Sequence, residues 1–354
     1  MIKIEATSIY HALYQALENI DVAQKNHRYR ATLRTIGVRG METLEFVGPY
    51  VTHYLNPRHR VLDWVVRKAN PFFHLMEALW ILSGRQDVAL LRYFNSNIAQ
   101  YSDNGVVFNG AYGHRLRTHF GRDQIKDAIK VLSDDVNSRQ AVLSIWDARL
   151  DLGLKSKDVP CNDLIMLKVR DGRLNMTVCC RSNDLIWGAY GANVVQFSIL
   201  QEYMAAMLLA GVGTYTQVSD SMHVYLDNPT FQPMMLLYEE LLTEDVYEPT
   251  AEDRVIPHPL VHSAAVFDFE LEVLLSWVDS QIRCVDRSSL YLPPPKHRWE
   301  NPFFPDVVIP MVGAWTLRKL GARGNEMLEP LNNCRASIDW IRAAKRYLGF
   351  LEEK

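Results

Sequence analysis

The chain has 354 residues, 38 Lys and Arg against 41 Asp and Glu for a net charge of −3, 48% hydrophobic residues and 22% charged residues. This is the balance of an ordinary globular protein, and it argues against a dedicated nucleic-acid binder, which needs concentrated positive charge, but not against one small anion held by a few arginines. Five cysteines, with Cys179 and Cys180 adjacent and no paired CxxC spacing, form neither a disulfide framework nor a zinc site and point to a reducing, cytoplasmic setting. Met1 to Ile20 lacks the basic-then-apolar pattern of a signal peptide, and no run approaches the roughly 18 apolar residues of a membrane span.

Length admits two domains of roughly 150 residues, or one larger domain with an appendage. Ile9, Leu13, Leu17 and Ile20 fall at helical spacing and predict an amphipathic helix over 6–20. Residues 43–54 alternate as a strand and stop at Asn56-Pro57. Asn70-Pro71 opens a second helix reaching about Gly84, with Phe73, Met76, Leu79 and Trp80 on one face. Glu77 lies inside that apolar stretch, so it is either a carboxylate at the edge of the core or a buried one that requires a partner or a task. Residues 141–146 read as a buried strand. Residues 164–169 and 174–179 read as two more, joined by Asp171-Gly172, a strong hairpin signal. From Asn193 to about Ala210 runs a long, mostly apolar helix interrupted by Gln196, Gln201 and Glu202 and stopped by Gly211. A strand over 217–225 follows. Beyond Asn228, prolines at 249, 257, 259 and 293–295 separate helical stretches at 267–283 and 333–350, without repeats and without an assignable motif.

Five clusters have residue types suited to chemistry, and each also has a plainer reading. Cys161 follows Pro160 at a strand start, where a thiol is accessible; most lone cysteines are inert core residues. Arg181-Ser182-Asn183-Asp184 ends the hairpin at the same end as Cys161, because the two strands run antiparallel. It is either a solvated loop or a phosphate grip that also lowers the thiol pKa. Asn193 heads the long helix, as a cap or as an amide reading a pyrimidine edge. His223 and Tyr225 alternate with Val224 and share one face of a strand. Ser138-Arg139 precedes a buried strand, where the arginine reaches a ligand or stays on the surface.

Pro160-Cys161, Arg181-Ser182-x-Asp184, Asn193 before a long helix, and Asp220-x-x-His223-x-Tyr225 resemble, in order and approximate spacing, the thymidylate synthase superfamily. Glu77 with Trp80, Tyr112-Gly113, and Ser138-Arg139 ahead of Trp146 add to the resemblance, which covers about residues 34–228. It implies an α+β fold, with a mixed sheet packed by a long central helix. Residues 1–228 would form the catalytic core and 229–354 a helical extension packed on it. It also implies Cys161 as the nucleophile that adds to pyrimidine C6, Glu77 as general acid and base, and Asp184 at the base or folate. Arg39, Arg181, Ser182 and the second subunit's Arg139 would clamp the phosphate, Asn193 would read the base, and His223 and Tyr225 would bind the sugar hydroxyl. The implied partners are a pyrimidine nucleoside monophosphate, 5,10-methylenetetrahydrofolate and a second copy in a homodimer with shared sites; no metal, membrane or nucleic acid is implied. The setting is the cytoplasm, that of the host if the chain is phage-encoded.

The departures bear on the reaction. Gln140 stands where a second arginine is usual, Asn162 replaces a histidine, and one extra residue separates Arg181 from Asn193. Tyr101 is the nearest aromatic where tryptophans are expected, and the chain ends Leu351-Glu-Glu-Lys354 instead of in a short apolar tail. These changes favour a wetter site, hence C5 hydroxymethylation over reductive methylation. The amide of Asn193 in its usual orientation selects uracil, so dUMP is placed ahead of dCMP; rotated by half a turn it suits cytosine. Three alternatives stay open: reductive methylation, a catalytically degenerate nucleotide-binding homologue, and an unrelated thiol hydrolase using Cys161 and His223.

Overall fold

The hairpin expected around Asp171-Gly172 is the spine of an eight-stranded mixed sheet. The computed structural model describes residues 1–26, 32–38, 40–252, 254–332, 334–335 and 338–350. Asp171 (φ 50°) and Gly172 (φ 68°) both take the left-handed conformation of a tight hairpin turn. They join strand Asn162–Arg170 to strand Arg173–Asp184 in antiparallel register.

In chain order the strands are β1 (Ile2–Ala6), β2 (Leu33–Val38), β3 (Met41–Phe46), β4 (Tyr50–Tyr54), β5 (Val142–Ser144), β6 (Asn162–Arg170), β7 (Arg173–Asp184) and β8 (Gly211–Tyr225). The sheet runs β1-β4-β8-β7-β6-β5, with β3 on the far part of β8 and β2 on β3. The helices are α1 (Ile9–Lys25), α2 (Pro71–Leu82), α3 (Val88–Phe94), the single turn α4 (Tyr112–His114), α5 (Gln124–Asp134) and α6 (Asn193–Met207). After them come α7 (Phe231–Leu237), α8 (Glu240–Thr243), α9 (Ala264–Ser288), α10 (Ile309–Lys319), α11 (Asn325–Asn332) and α12 (Asp339–Tyr347).

Sequence and structure differ at several boundaries, each for a local reason. The strand expected over 43–54 is two strands, β3 and β4, separated at Gly48, whose φ of 89° an L side chain resists. The first helix starts at Ile9, because Ser8 caps it by accepting from the His11 amide at 3.1 Å. The residues before it form β1, parallel to β4. Leu209 (φ 54°), not Gly211, turns the chain after α6, and Gly211 already begins β8. The stretch 333–350 is helical only over α12.

The unit β7–α6–β8 is a parallel crossover, so α6 lies against the sheet and under α2, buried from Asn193 through Ala205. Its polar interruptions each meet a partner, as burial demands. Gln201 Nε2 donates to the Leu174 and Thr214 carbonyls at 2.8 and 3.0 Å. Glu202 pairs with Arg60 and Arg58 and accepts from the Leu260 amide at 3.0 Å, and Gln196 reaches Glu77. The turn α4 is pressed onto α2 at Gly113, where a Cβ would lie 2.3 Å from the Ile81 carbonyl oxygen. That close approach brings Tyr112 to the end of β6.

Beyond Asn228 the chain packs on the outer side of α2 and α3. Trp315 rests on Phe72 (centroids 5.1 Å) and donates to the Tyr93 carbonyl at 2.9 Å. Arg342 pairs with Asp63 at 2.8 Å, and Arg85 grips Asp279 through two bonds of 2.9 and 3.0 Å. Among the described residues no helix is long and apolar enough to cross a membrane. On the other face of the sheet two cross-strand rows, Val51–Val218–Cys179–Leu164 and His53–Thr216–Thr177–Met166–Val142, are at most partly buried by the described residues, and Val142 is 52% exposed.

Candidate active site

Where β6, β7 and α6 converge under α2, a cleft of about 320 Å³ opens. It is lined by Glu77, Cys161, Ser182, Asp184 and Asn193 from the residues singled out in the sequence, and by Tyr112, Asp158, Asn183, Trp187 and Gln196 besides.

Cys161 stands at the turn into β6, immediately after Pro160. Its loop is held from outside: Arg181 donates through Nε to the Pro160 carbonyl (2.8 Å) and through Nη2 to that of Val159 (3.1 Å), while its amide donates to the Cys161 carbonyl (2.9 Å). The Arg181 guanidinium also lies over Trp146, 5.7 Å from the ring centroid. The other thiols of the hairpin are poor nucleophiles, because burial pushes Cys179 up and Cys180 well up from the ordinary thiol range.

Glu77 projects from α2 into the floor of the cleft. Burial lifts its pKa to about 7; the Gln196 amide, donating to Oε2 at 2.6 Å, opposes the rise, and the charge of Asp158 adds to it. Burial also raises Asp158, although it accepts from the Gly110 amide at 2.7 Å. Asp184 caps the turn 185–192 through the Trp187 amide. Burial raises Asp184 too, against the Trp187 amide and the charges of His223 and Arg67, and its Oδ2 is buried without a hydrogen bond.

Asn193 does not cap its helix; its side chain is buried in a polar network. Asn162 Nδ2 donates to Asn193 Oδ1 at 3.3 Å, and Asn193 Nδ2 donates to Asn183 Oδ1 at 3.0 Å. Asn162 further donates to Tyr112 Oη at 3.0 Å, and Asn183 to Ser219 Oγ at 2.9 Å.

The other predicted residues that the structure describes lie outside the cleft lining. His223, buried on β8, is paired in register with Asp184, its Nδ1 lying 3.2 Å from the Ser221 carbonyl; Tyr225 packs edge-on to it. Arg139 is exposed just before edge strand β5. Arg39 and Leu351–Lys354 lie outside the described residues. Sequence reasoning named Asn183 only within its cluster, without a role of its own, and missed Trp187, Asp158 and the pairing of Gln196 with Glu77. The polar break at Gln196 in an apolar helix was the available signal for the last; the others carried none. Trp187 is 56% exposed on the wall of the cleft, above the Arg67 guanidinium at 5.4 Å. Tyr101, also on the wall, is 51% exposed. Among the described residues no group of three or more His, Cys, Asp or Glu side chains suits a metal ion.

A family model described as thymidylate synthase matches residues 17–251. A deoxyuridylate hydroxymethyltransferase of Pseudomonas phage M6 is 40% identical over 310 residues, 86% of this chain and 84% of the relative. A protein of the same description from Bacillus phage SP01 is 41% identical over 211 residues, 56% of this chain and 53% of its own. A putative thymidylate synthase of Methanothermobacter marburgensis is 41% identical over 124 residues, 35% of this chain and 54% of its own.

Proposed function

Because the chain belongs to the thymidylate synthase family, we propose that it transfers a one-carbon unit to C5 of dUMP and releases the 5-hydroxymethyl nucleotide. The observation that carries this reading is the single cleft gathering Cys161, Glu77, Ser182, Asp184 and Asn193. The phage relatives described as deoxyuridylate hydroxymethyltransferases support the substrate and the product.

Pyrimidine C5 is a weak nucleophile. The Cys161 thiolate adds to C6, and the electron pair released into C5 makes it enolate-like. 5,10-Methylenetetrahydrofolate supplies the one-carbon unit when bound. The cleft fits such a flat ring system, through the apolar walls of Trp80, Ile81 and Phe108, the half-exposed Trp187 and Tyr101, and the unpaired oxygen of Asp184, an acceptor for a ring N–H. Glu77, with its pKa near neutrality, accepts the C5 proton through water in the cleft. C5 would bond the one-carbon unit, and the bond of that unit to the folate nitrogen would break, the nitrogen keeping the electron pair as tetrahydrofolate leaves, so that the nucleotide carries an exocyclic methylene; water adds its oxygen there and gives up a proton, and the thiolate leaves C6 with the electron pair it brought. A half-exposed Tyr101 in place of tryptophan leaves that water a path.

Ser182 at the cleft and Arg181 behind it support a phosphate site at the end of β7, completed by Arg39 and, from a second copy, Arg139. Arg139 sits at the sheet edge, away from its own cleft, and the incompletely buried rows from Val51 to Leu164 and from His53 to Val142 fit the sheet of another copy. His223 and Tyr225 serve the sugar. Residues 1–228 act as the core, and 229–354 brace α2, the helix that carries Glu77.

With dUMP and 5,10-methylenetetrahydrofolate, mass spectrometry of the products is expected to show 5-hydroxymethyl-dUMP and tetrahydrofolate. A 5-methyl nucleotide with dihydrofolate would install reductive methylation instead. Sedimentation equilibrium is expected to return twice the chain mass of 40.7 kDa; a mass independent of concentration at the single-chain value removes the shared site.

A further inference from the structure

The cleft's amide network has a property that no single residue reveals. Asn162, Asn183 and Asn193 are almost fully buried, at 0, 1 and 6% exposure. Asn193 lies between the other two, its carbonyl toward Asn162 and its NH2 toward Asn183. Outward from this trio the chain continues through Gln217, whose Nε2 approaches Asn162 Oδ1 at 3.5 Å and whose Oε1 accepts from Tyr215 Oη at 2.9 Å. Its other end is Ser219 Oγ, and a side branch ends on Tyr112 Oη.

Every terminus of this network is a hydroxyl, and a hydroxyl donates and accepts with equal ease, whereas a carboxylate or an ammonium would impose a direction. If all four amides turn over together, each donor becomes an acceptor facing a former acceptor that is now a donor. Tyr215, Ser219 and Tyr112 absorb the reversal, each by rotating one O–H bond. No buried group loses its partner, so neither direction carries the penalty of an unmade bond. The two directions present opposite edges to the cleft: the donor and acceptor positions of Asn193 exchange. Uracil offers N3–H and O4, a donor beside an acceptor, while cytosine offers N3 and N4–H2, the reverse pattern.

We propose that Asn162 and Asn183 are positioning residues that hold the base-reading amide of Asn193 in a reversible orientation, so that the site takes dCMP as a second substrate beside dUMP. This rests on the reading of the cleft as a pyrimidine nucleotide site and extends it from one base to two. A carboxylate at either neighbour sets the direction. Asn183→Asp only accepts, and so keeps the Asn193 NH2 toward position 183; Asn162→Asp draws the same NH2 toward position 162.

The test is calorimetric binding of dUMP and dCMP at pH 8, without folate, to the full chain and to each variant, with turnover of both nucleotides measured alongside. The wild type is expected to bind both within about tenfold of each other. The two variants are expected to shift the dUMP to dCMP affinity ratio in opposite directions, each by about tenfold or more, the worth of one misdirected buried hydrogen bond. Loss of packing alone would move both affinities together. Wild-type binding of dUMP with dCMP weaker by more than about 10³-fold overturns the inference while leaving the function standing, and so do variants whose ratios move the same way. A folded wild type that binds neither nucleotide overturns the underlying reading as well.

Discussion

Replacing Cys161 by alanine is expected to lower turnover by about 10⁴-fold or more while changing dUMP affinity by no more than a few-fold. The asymmetry follows from what the thiol does. In the proposed reaction it bonds covalently to C6 only as reaction begins, whereas the proposed grip on the nucleotide comes from Asn193, Ser182 and Arg181. Among the described residues the neighbouring thiols do not replace it: Cys180 is buried and its thiol is pushed well up, and Cys179 is half-buried, absent from the cleft lining, with its thiol also pushed up by burial. Denaturing mass spectrometry after incubation with 5,10-methylenetetrahydrofolate and a 5-fluoro analogue of dUMP checks the assignment, since fluorine cannot leave C5 as a proton does. The wild type should retain a covalent adduct and the variant none. An adduct formed by Cys161→Ala, or turnover within tenfold of wild type, removes Cys161 from the mechanism. Undiminished biological activity in the absence of turnover would point to a nucleotide-binding regulator instead.

Glu77→Gln is expected to lose about 10² to 10⁴ in turnover, the usual contribution of a positioned acid–base group, and to lose the pH dependence near 7 that Glu77 brings to the wild-type rate. It is also expected to stabilise the fold. The carboxyl titrates at about 7 in the folded chain against 4.5 ordinarily, chiefly because burial disfavours its charge. Between those two values the folded state holds a proton that the unfolded state has released, so stability falls as pH rises through this window. The loss amounts to up to about 3 kcal/mol once pH exceeds the folded value. Glutamine is neutral throughout and can still accept from Gln196, so the variant escapes the loss. Denaturant titrations should therefore show the difference, variant minus wild type, opening between pH about 4.5 and 7 and remaining constant above. A variant less stable than wild type at pH 8 contradicts the burial argument, and retained full turnover contradicts the catalytic one.

These expectations draw unequally on sequence and structure. The Asp171-Gly172 hairpin, the helix opened by Asn70-Pro71 and the long helix after Asn193 were legible because each is specified by neighbours in the chain: a turn pair that tolerates positive φ, a cap with proline behind it, a long and mostly apolar run. The break at Gly48 and the strand Ile2–Ala6 were not, because a five-residue segment becomes a strand only when another strand is present to pair with it. Gln196 shows the same division within the site. Its intrusion into an apolar helix was visible, but its purpose required α2 to be laid across α6.

What the sequence by itself determined is the chemistry on offer: a thiol at a strand start, a carboxylate in an apolar helix, an arginine and serine at the matching end of a hairpin, and the family these belong to. Their types and spacings are local, and local information survives in one dimension. Only the tertiary structure decided which of these residues face one cleft, that Arg181 braces the loop of Cys161, and that Asn193 is hydrogen-bonded between Asn162 and Asn183 and does not act as a cap. Those outcomes depend on contacts between segments 10 to 119 residues apart, and on the burial that moves the pKa of Glu77 to neutrality, a property of the surrounding protein that no stretch of chain carries alone.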